Sequence, residues 1–122
     1  MSEKGIFQKI IDGEIPATKV YEDDSFLAFQ DIAPKAPVHL LVIPKAFSPR
    51  LDAMLDAQGA AEVGALLEAA VKTARANGLG DYRLVVNVGA GAGQEVFHTH
   101  VHIMAGWEEG DAAGAGFRGQ AV

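Results

Sequence analysis

Apolar and polar positions change their period several times along this chain, and each change marks an element. Ile6, Phe7, Ile10 and Ile11 recur at helical spacing and Asp12-Gly13 closes the segment, which predicts a short N-terminal helix. Lys19 to Glu22 and Ser25 to Phe29 read as two strands around the turn Asp23-Asp24. Asp31-Ile32-Ala33-Pro34-Lys35-Ala36-Pro37 is a loop stiffened by two prolines. It leads into a strand over His39 to Ile43 that Pro44 stops, and Leu51 to Leu55 predicts a helical turn. The longest helix is expected over Gln58 to Asn77, burying Val63, Leu66, Leu67, Ala70, Val71 and Ala74. Glu68 and Lys72 form an i,i+4 pair on it, and Gly78 suits a left-handed helix end. Tyr82 to Val88 reads as a strand, Gly89 to Gly93 as a glycine-rich loop, and Phe97 to Ala105 as the last strand. From Gly106 onward Gly and Ala dominate, with Trp107 and Phe117 the large anchors. The order predicts an α+β fold: an antiparallel sheet of about five strands, one long helix and a short N-terminal helix. One domain over 1–122 is expected, with its core at about 5–106 and a tail at 107–122.

The last strand carries the chemistry. It contains His98, His100 and His102, three of the four histidines of the chain. In a strand, residues i, i+2 and i+4 share one face, so the imidazoles line one surface while Thr99, Val101 and Ile103 point the other way. Histidine titrates near neutrality and serves as nucleophile, acid or base at cellular pH.

Composition narrows the setting. Apolar residues are 49% of the chain, and 10 basic against 16 acidic residues give a net charge of −6. That argues against a broad nucleic-acid or membrane-surface footprint, though not against one nucleotide in a pocket. There is no cysteine, hence no disulfide, thiol catalysis or cysteine-ligated zinc. Met1-Ser2-Glu3-Lys4-Gly5 lacks a signal pattern and no apolar run matches a membrane span, so a cytoplasmic protein is expected.

Three readings of the histidines compete. As metal ligands they are awkward: a strand rises ~3.3 Å per residue, putting the Cα atoms of His98 and His102 roughly 13 Å apart. Zinc needs nitrogens at about 2 Å, so a third ligand would come more naturally from another strand. As a catalytic group, His100 is flanked on its own face by two further histidines and can attack phosphorus directly. The third reading is a plain polar strand face. Gly89-Ala90-Gly91-Ala92-Gly93-Gln94 opens no helix and is no dinucleotide fingerprint, but its backbone N–H groups can approach phosphate oxygens, with Gln94 adding a side-chain donor. Otherwise it is a flexible hairpin loop. Asp31, in the proline loop, can accept hydrogen bonds from ribose hydroxyls or make an ordinary Asx turn. His39 by itself reads as a structural histidine.

His98-Thr99-His100-Val101-His102-Ile103-Met104 resembles the His-φ-His-φ-His-φ-φ signature of the histidine triad (HIT) superfamily, with Thr99 the one imperfect φ. Ile6-Phe7-Gln8-Lys9-Ile10-Ile11, Ala28-Phe29-Gln30-Asp31-Ile32, Ala36-Pro37-Val38-His39, Leu41-Val42-Ile43-Pro44-Lys45 and Gly93-Gln94-Glu95-Val96 extend the likeness to the Hint branch over about residues 5–106. That branch comprises purine nucleoside phosphoramidate hydrolases that act as homodimers through a nucleotidyl-histidine. The resemblance implies a purine nucleotide ligand of the AMP or GMP type and a homodimer; no cofactor or metal is expected, because histidine and N–H donors handle the charge. It makes His100 the nucleophile, His102 the residue at the phosphate and leaving group, and His98 and His39 the supporting histidines. Asp31 becomes the ribose-binding acid. Asn87, Gly93, Gln94 and Glu95 lie around the α-phosphate, and Phe7, Ile10, Phe29 and Ile32 form the walls of the base pocket.

Some positions depart from the pattern. Glu95 stands where several eukaryotic members carry serine, and an acid beside phosphate is unfavourable unless only its backbone N–H is used. Val88 replaces a commoner acidic residue. Phe47 stands where a histidine often helps to complete a zinc site, which argues against a structural zinc here. The nucleotidyl-transferase branch has glutamine in place of the third histidine; the retained His102 favours hydrolysis. Dinucleoside polyphosphates or adenylyl anhydrides are the alternative substrates, and a nucleotide-binding regulatory module with little turnover is the alternative role.

Overall fold

The structure, a computed structural model, describes residues 5–108. Its backbone is an antiparallel five-stranded sheet flanked by helices. Helix α1 spans Ile6–Ile11 and is followed by β1 (Lys19–Glu22), β2 (Phe26–Gln30) and β3 (Val38–Pro44). Helices α2 (Leu51–Gln58) and α3 (Ala60–Ala76) come next, then β4 (Tyr82–Val85) and β5 (Val101–Ala105). The strands lie in the order β1-β2-β3-β5-β4, so β5 is inserted between β3 and β4. The α+β architecture matches the expectation, and the bounds of several elements shift.

The expected long helix is α3, which begins two residues later and ends one residue earlier than the pattern predicts. Gly59, at φ 89°, adopts a conformation that side-chain-bearing residues avoid, and it breaks the chain between α2 and α3. The Leu51 to Leu55 turn is therefore the start of a full eight-residue helix. The far end of α3 follows the sequence signal. Gly78 takes φ 72° and donates to the Arg75 carbonyl while Leu79 N–H reaches Ala74, a Schellman closure. The buried face of α3 is Leu66, Ala69, Ala70, Thr73 and Ala74, whereas Leu67 is 44% exposed and Val71 half-buried. The buried face is therefore rotated toward the small residues Ala69, Ala70, Thr73 and Ala74. Glu68 and Lys72 do pair, at 3.8 Å on the surface.

The sheet is buried on both faces in its centre, which is why β2 and β3 read as unbroken apolar runs. Ala28, Leu40, Val42, Val101 and Ile103 pack with Leu66 and Met54 under the helices α2 and α3. On the opposite face Leu27, Phe29, Leu41 and Ile43 meet Phe7 and Ile10 of α1. Alternation along each strand sends neighbours to opposite cores. His102, paired with Leu41, belongs to the α1 face.

The last strand is shorter than expected. It begins at Val101, so His98 and His100 precede it. Continuing the ladder would bring Pro44 of β3 into register, and proline has no N–H to give. The chain leaves the sheet instead: Thr99 N–H and Oγ1–H both donate to the Ser48 carbonyl, at 2.7 and 3.0 Å. β4 stops at Val85 rather than Val88 for the matching reason, since its partner β5 runs out. β2 starts and ends one residue later than expected, and β3 extends from Val38 to Pro44. Trp107 lies under Arg83, whose guanidinium carbon is 5.2 Å from the ring centroid; Phe117 and most of the expected tail lie outside the described residues.

Leu66 is fully buried between α3 and the sheet. Leu66→Ala should cost about 2–5 kcal/mol of unfolding free energy in urea titration. Glu68→Ala, which removes only the exposed pair, should cost no more than about 0.5 kcal/mol.

Candidate active site

The α1 face of the sheet gathers all four histidines. His102 comes from β5 and His39 from β3, while His98 and His100 lie on the segment that has just left the sheet. The rings of His100 and His102 are 4.9 Å apart, those of His39 and His102 5.1 Å. Phe7 of α1 stands edge-on to His100 at 5.2 Å and to His98 at 6.0 Å. The three triad imidazoles still cluster on one side, although a strand does not phase the first two. Carbonyls of the Pro44–Ser48 segment do that instead. His98 Nε2 is 2.7 Å from the Pro44 carbonyl, and Phe47 packs edge-on to His98 at 5.4 Å.

Hydrogen bonds assign the ring protons, because a carbonyl accepts only from a protonated nitrogen. His100 Nδ1 lies 2.7 Å from the His98 carbonyl and so carries its proton there, which puts the ring lone pair on Nε2. His39 is set the other way. The backbone N–H of Lys35 donates to His39 Nδ1 at 2.9 Å, so the proton is on Nε2. That Nε2–H donates to His102 Nδ1 at 2.8 Å, which leaves the His102 proton on Nε2. Neighbouring histidines thus hold opposite tautomers: His100 offers a lone pair at Nε2 and His102 a proton at Nε2.

Burial keeps the supporting rings neutral. Desolvation lowers the His98 pKa, against the Pro44 carbonyl, which raises it. Desolvation likewise lowers His39, against the raising influence of Asp31. Asp31, His39 and His102 place ligand atoms within 4.8 Å of one another. Metal ligation does not fit the bonding found, since Lys35 N–H occupies the Nδ1 lone pair and His39 Nε2 keeps its proton.

Beside the histidines lies a cavity of ≈ 430 Å³ lined by Phe7, Ile10, Phe29, Asp31, Ile32 and Glu95, together with apolar neighbours. All four residues expected as base-pocket walls are among its lining, with the expected ribose acid. Ile32 is 94% exposed and forms the rim. Asn87 sits half-buried between β4 and the glycine turn.

That turn differs from the expected open cradle. Ala90–Ala92 form one 3₁₀ turn, with Gly89 and Gly93 both at positive φ. The amides of Ala92, Gly93 and Gln94 donate to carbonyls inside the turn. Gln94 is buried, and its side chain is committed as well: Oε1 accepts Gly89 N–H at 2.8 Å, while Nε2 donates to Pro49 and Val96. Its carboxamide therefore stiffens the turn instead of offering a donor to a ligand. The turn lies in the connection between the antiparallel neighbours β4 and β5, as a hairpin loop would.

The sequence reading missed the backbone groups of Lys35, Pro44 and Ser48, which position His39, His98 and Thr99. No side-chain signal could reveal them, because any residue except proline supplies the same N–H and every residue the same carbonyl.

The HIT domain family pattern matches residues 12–109, and the chain belongs to this family. It is 52% identical over 107 residues to an uncharacterized HIT-like protein of Synechocystis, covering 87% of this chain and 93% of that one. It is 41% identical over 108 residues to the purine nucleoside phosphoramidase of Escherichia coli K12, covering 87% and 90%. Among solved structures, a HIT family hydrolase of Legionella pneumophila superposes with a TM-score of 0.79 at 45% identity, covering 86% of this chain and 95% of that one. A histidine triad protein of Clostridium difficile gives 0.80 at 42%, covering 88% and 96%.

The two depressed histidines predict acid lability. An unfolded chain binds protons near the ordinary value of 6.5, whereas folded His98 and His39 resist until lower pH. Stability should therefore be fully present above about pH 6.5 and fall as pH drops through it, by up to roughly 1.4 kcal/mol per pH unit for each histidine. Urea unfolding at pH 7.5, 6.5 and 5.5 measures this, and a flat profile contradicts it.

Proposed function

We propose that this protein is a hydrolase that cleaves the P–N bond of purine nucleoside 5′-phosphoramidates through a nucleotidyl-His100 intermediate. The observation that carries the reading is the pair of opposed tautomers, a lone pair on His100 Nε2 next to a proton on His102 Nε2, beside an apolar cavity with one buried carboxylate. The purine lies against Phe7, Ile10, Phe29 and Ile32, and the ribose reaches Asp31. His100 Nε2 attacks the α-phosphorus, the P–N bond breaks, and the amine departs with the proton from His102 Nε2. Water then attacks the phosphorus and releases the nucleoside monophosphate and His100. His98 acts indirectly, since its own carbonyl holds the His100 proton. The likeness to the Escherichia coli phosphoramidase and the Legionella pneumophila HIT hydrolase supports this reading.

We propose a cytoplasmic homodimer. The sheet ends at β4, whose Tyr82–Val85 are only half-buried, and Leu55 and Leu67 are exposed on α2 and α3. An edge strand that is open among the described residues, and exposed leucines, are features suited to a second copy. Sedimentation equilibrium measures the mass, and a monomer at micromolar concentration overturns the dimer.

Wild-type protein should release a reporter amine from an adenosine phosphoramidate. His100→Ala should lose at least ~10³-fold in kcat, the scale expected when a covalent route is closed. Rapid quench into alkaline denaturant, where a P–N bond to imidazole survives, followed by intact-mass measurement should detect the nucleotidyl adduct on wild type. Equal amine release by both proteins defeats the proposal. Faster turnover of a dinucleoside polyphosphate would move the substrate to the anhydride class.

A further inference from the structure

Asp31 has one satisfied and one unsatisfied oxygen. Oδ1 accepts the Ala33 N–H at 2.8 Å, closing the Asx turn. Oδ2 is buried without a hydrogen-bond partner, and the side chain as a whole is only 9% exposed. A buried polar atom left unpaired costs about 1–3 kcal/mol, and more when it is charged. His39 Nε2 lies 3.5 Å from Oδ2, too far for a good hydrogen bond but close enough for electrostatic attraction of its proton. That same proton is donated to His102 Nδ1 at 2.8 Å. One proton therefore faces two acceptors, a carboxylate and an imidazole.

The loop between them keeps this competition fixed. Asp31 N–H donates to the His39 carbonyl at 3.0 Å, so both ends of the proline-stiffened segment are tied together. Lys35 N–H holds His39 from its other nitrogen. Neither ring nor carboxylate is placed to drift away from the other. Asp31 also lines the cavity, as do Ala33 and Lys35 of the same loop.

We propose that Asp31 is a positioning residue that couples a ribose hydroxyl in the cavity to proton donation by His102, acting through His39. This rests on the nucleotide hydrolase reading and adds to it a link between sugar recognition and the chemical step. A hydroxyl that donates to Oδ2 supplies the missing partner and weakens the pull of the carboxylate on the His39 proton. His39 Nε2–H is then committed to His102 Nδ1, and His102 keeps its own proton on Nε2, where the leaving amine needs it. With a sugar that lacks hydroxyls, Oδ2 stays unpaired and continues to compete. The His39–His102 bond loosens, and His102 samples the tautomer with its proton on Nδ1, which has nothing to donate from Nε2. Only hydrogen bonds exchange; no covalent bond changes.

Two measurements test this. The first is ¹⁵N NMR of the histidine rings with AMP or 2′,3′-dideoxy-AMP bound. AMP should move His39 Nε2 and His102 Nδ1 toward a stronger hydrogen bond, while the dideoxy ligand should leave them as in the free protein. Identical ring signals with both ligands overturn the coupling, as does failure of AMP to bind. The second compares kcat and KM on adenosine phosphoramidate and its 2′,3′-dideoxy counterpart. The dideoxy substrate should lose about tenfold in kcat, part of the ~10²–10⁴-fold a positioned acid contributes, in addition to any rise in KM. A change confined to KM makes Asp31 a sugar anchor only and overturns the proposal. In Asp31→Ala, kcat should no longer distinguish the two sugars, because the competing acceptor is gone. Asp31→Asn, which keeps an oxygen for the Ala33 turn, gives the same comparison if the alanine variant fails to fold. Absence of turnover on either phosphoramidate rejects the phosphoramidase reading alone, and the ring spectra still decide the coupling.

Discussion

The 2.8 Å hydrogen bond between His39 and His102 is the contact on which the site depends. It spans two adjacent strands on a diagonal, because His39 pairs with Met104 and Leu41 with His102. A one-residue slip of β5 against β3 would turn His102 into the opposite core and break the contact. The register is held by apolar residues on both faces, Leu40, Val42, Val101 and Ile103 on one and Leu41 and Ile43 on the other. Core packing and ring chemistry are therefore one constraint. The same sheet that buries its centre on both sides also fixes which nitrogen of His102 carries a proton.

A second layer of control comes from where the sheet stops. Pro44 has no N–H, the β3–β5 ladder ends at Val101, and the preceding residues are free to follow other acceptors. They find the carbonyls of Pro44 and Ser48. His98 is buried by the first of these contacts, and its own carbonyl then takes the His100 proton. A regular strand would send that carbonyl into a ladder hydrogen bond and leave the His100 tautomer unset. The irregularity is thus part of the site, in the way that bends and bulges beside active sites re-aim side chains.

Much of this was legible beforehand. The spacing of His98, His100 and His102 singled out the reactive segment, and its alternation with Thr99, Val101 and Ile103 correctly separated a histidine side from a buried apolar side. Phe7, Ile10, Phe29, Ile32 and Asp31, drawn from separate stretches of chain, do line one cavity. The readings that changed involve atoms without side-chain identity. Gln94 looked like a ligand donor because its amide is polar, but three backbone groups consume it. The glycines looked like an open cradle, but the amides of Gly89, Ala92, Gly93 and Gln94 are already bonded within the turn. Leu67 carried helical periodicity yet faces outward, because periodicity defines a stripe but not its rotation about the helix axis.

The amino-acid sequence alone determined the class of fold, the order of its elements, the face that bears the histidines and the family they belong to. These follow from apolar period and residue type, which are local properties. Only the tertiary structure decided the proton on each ring, the end of the last strand, the internal use of Gln94 and the unpaired oxygen of Asp31. Each of those depends on which carbonyl or N–H, from a distant part of the chain, arrives within about 3 Å, the reach of a hydrogen bond.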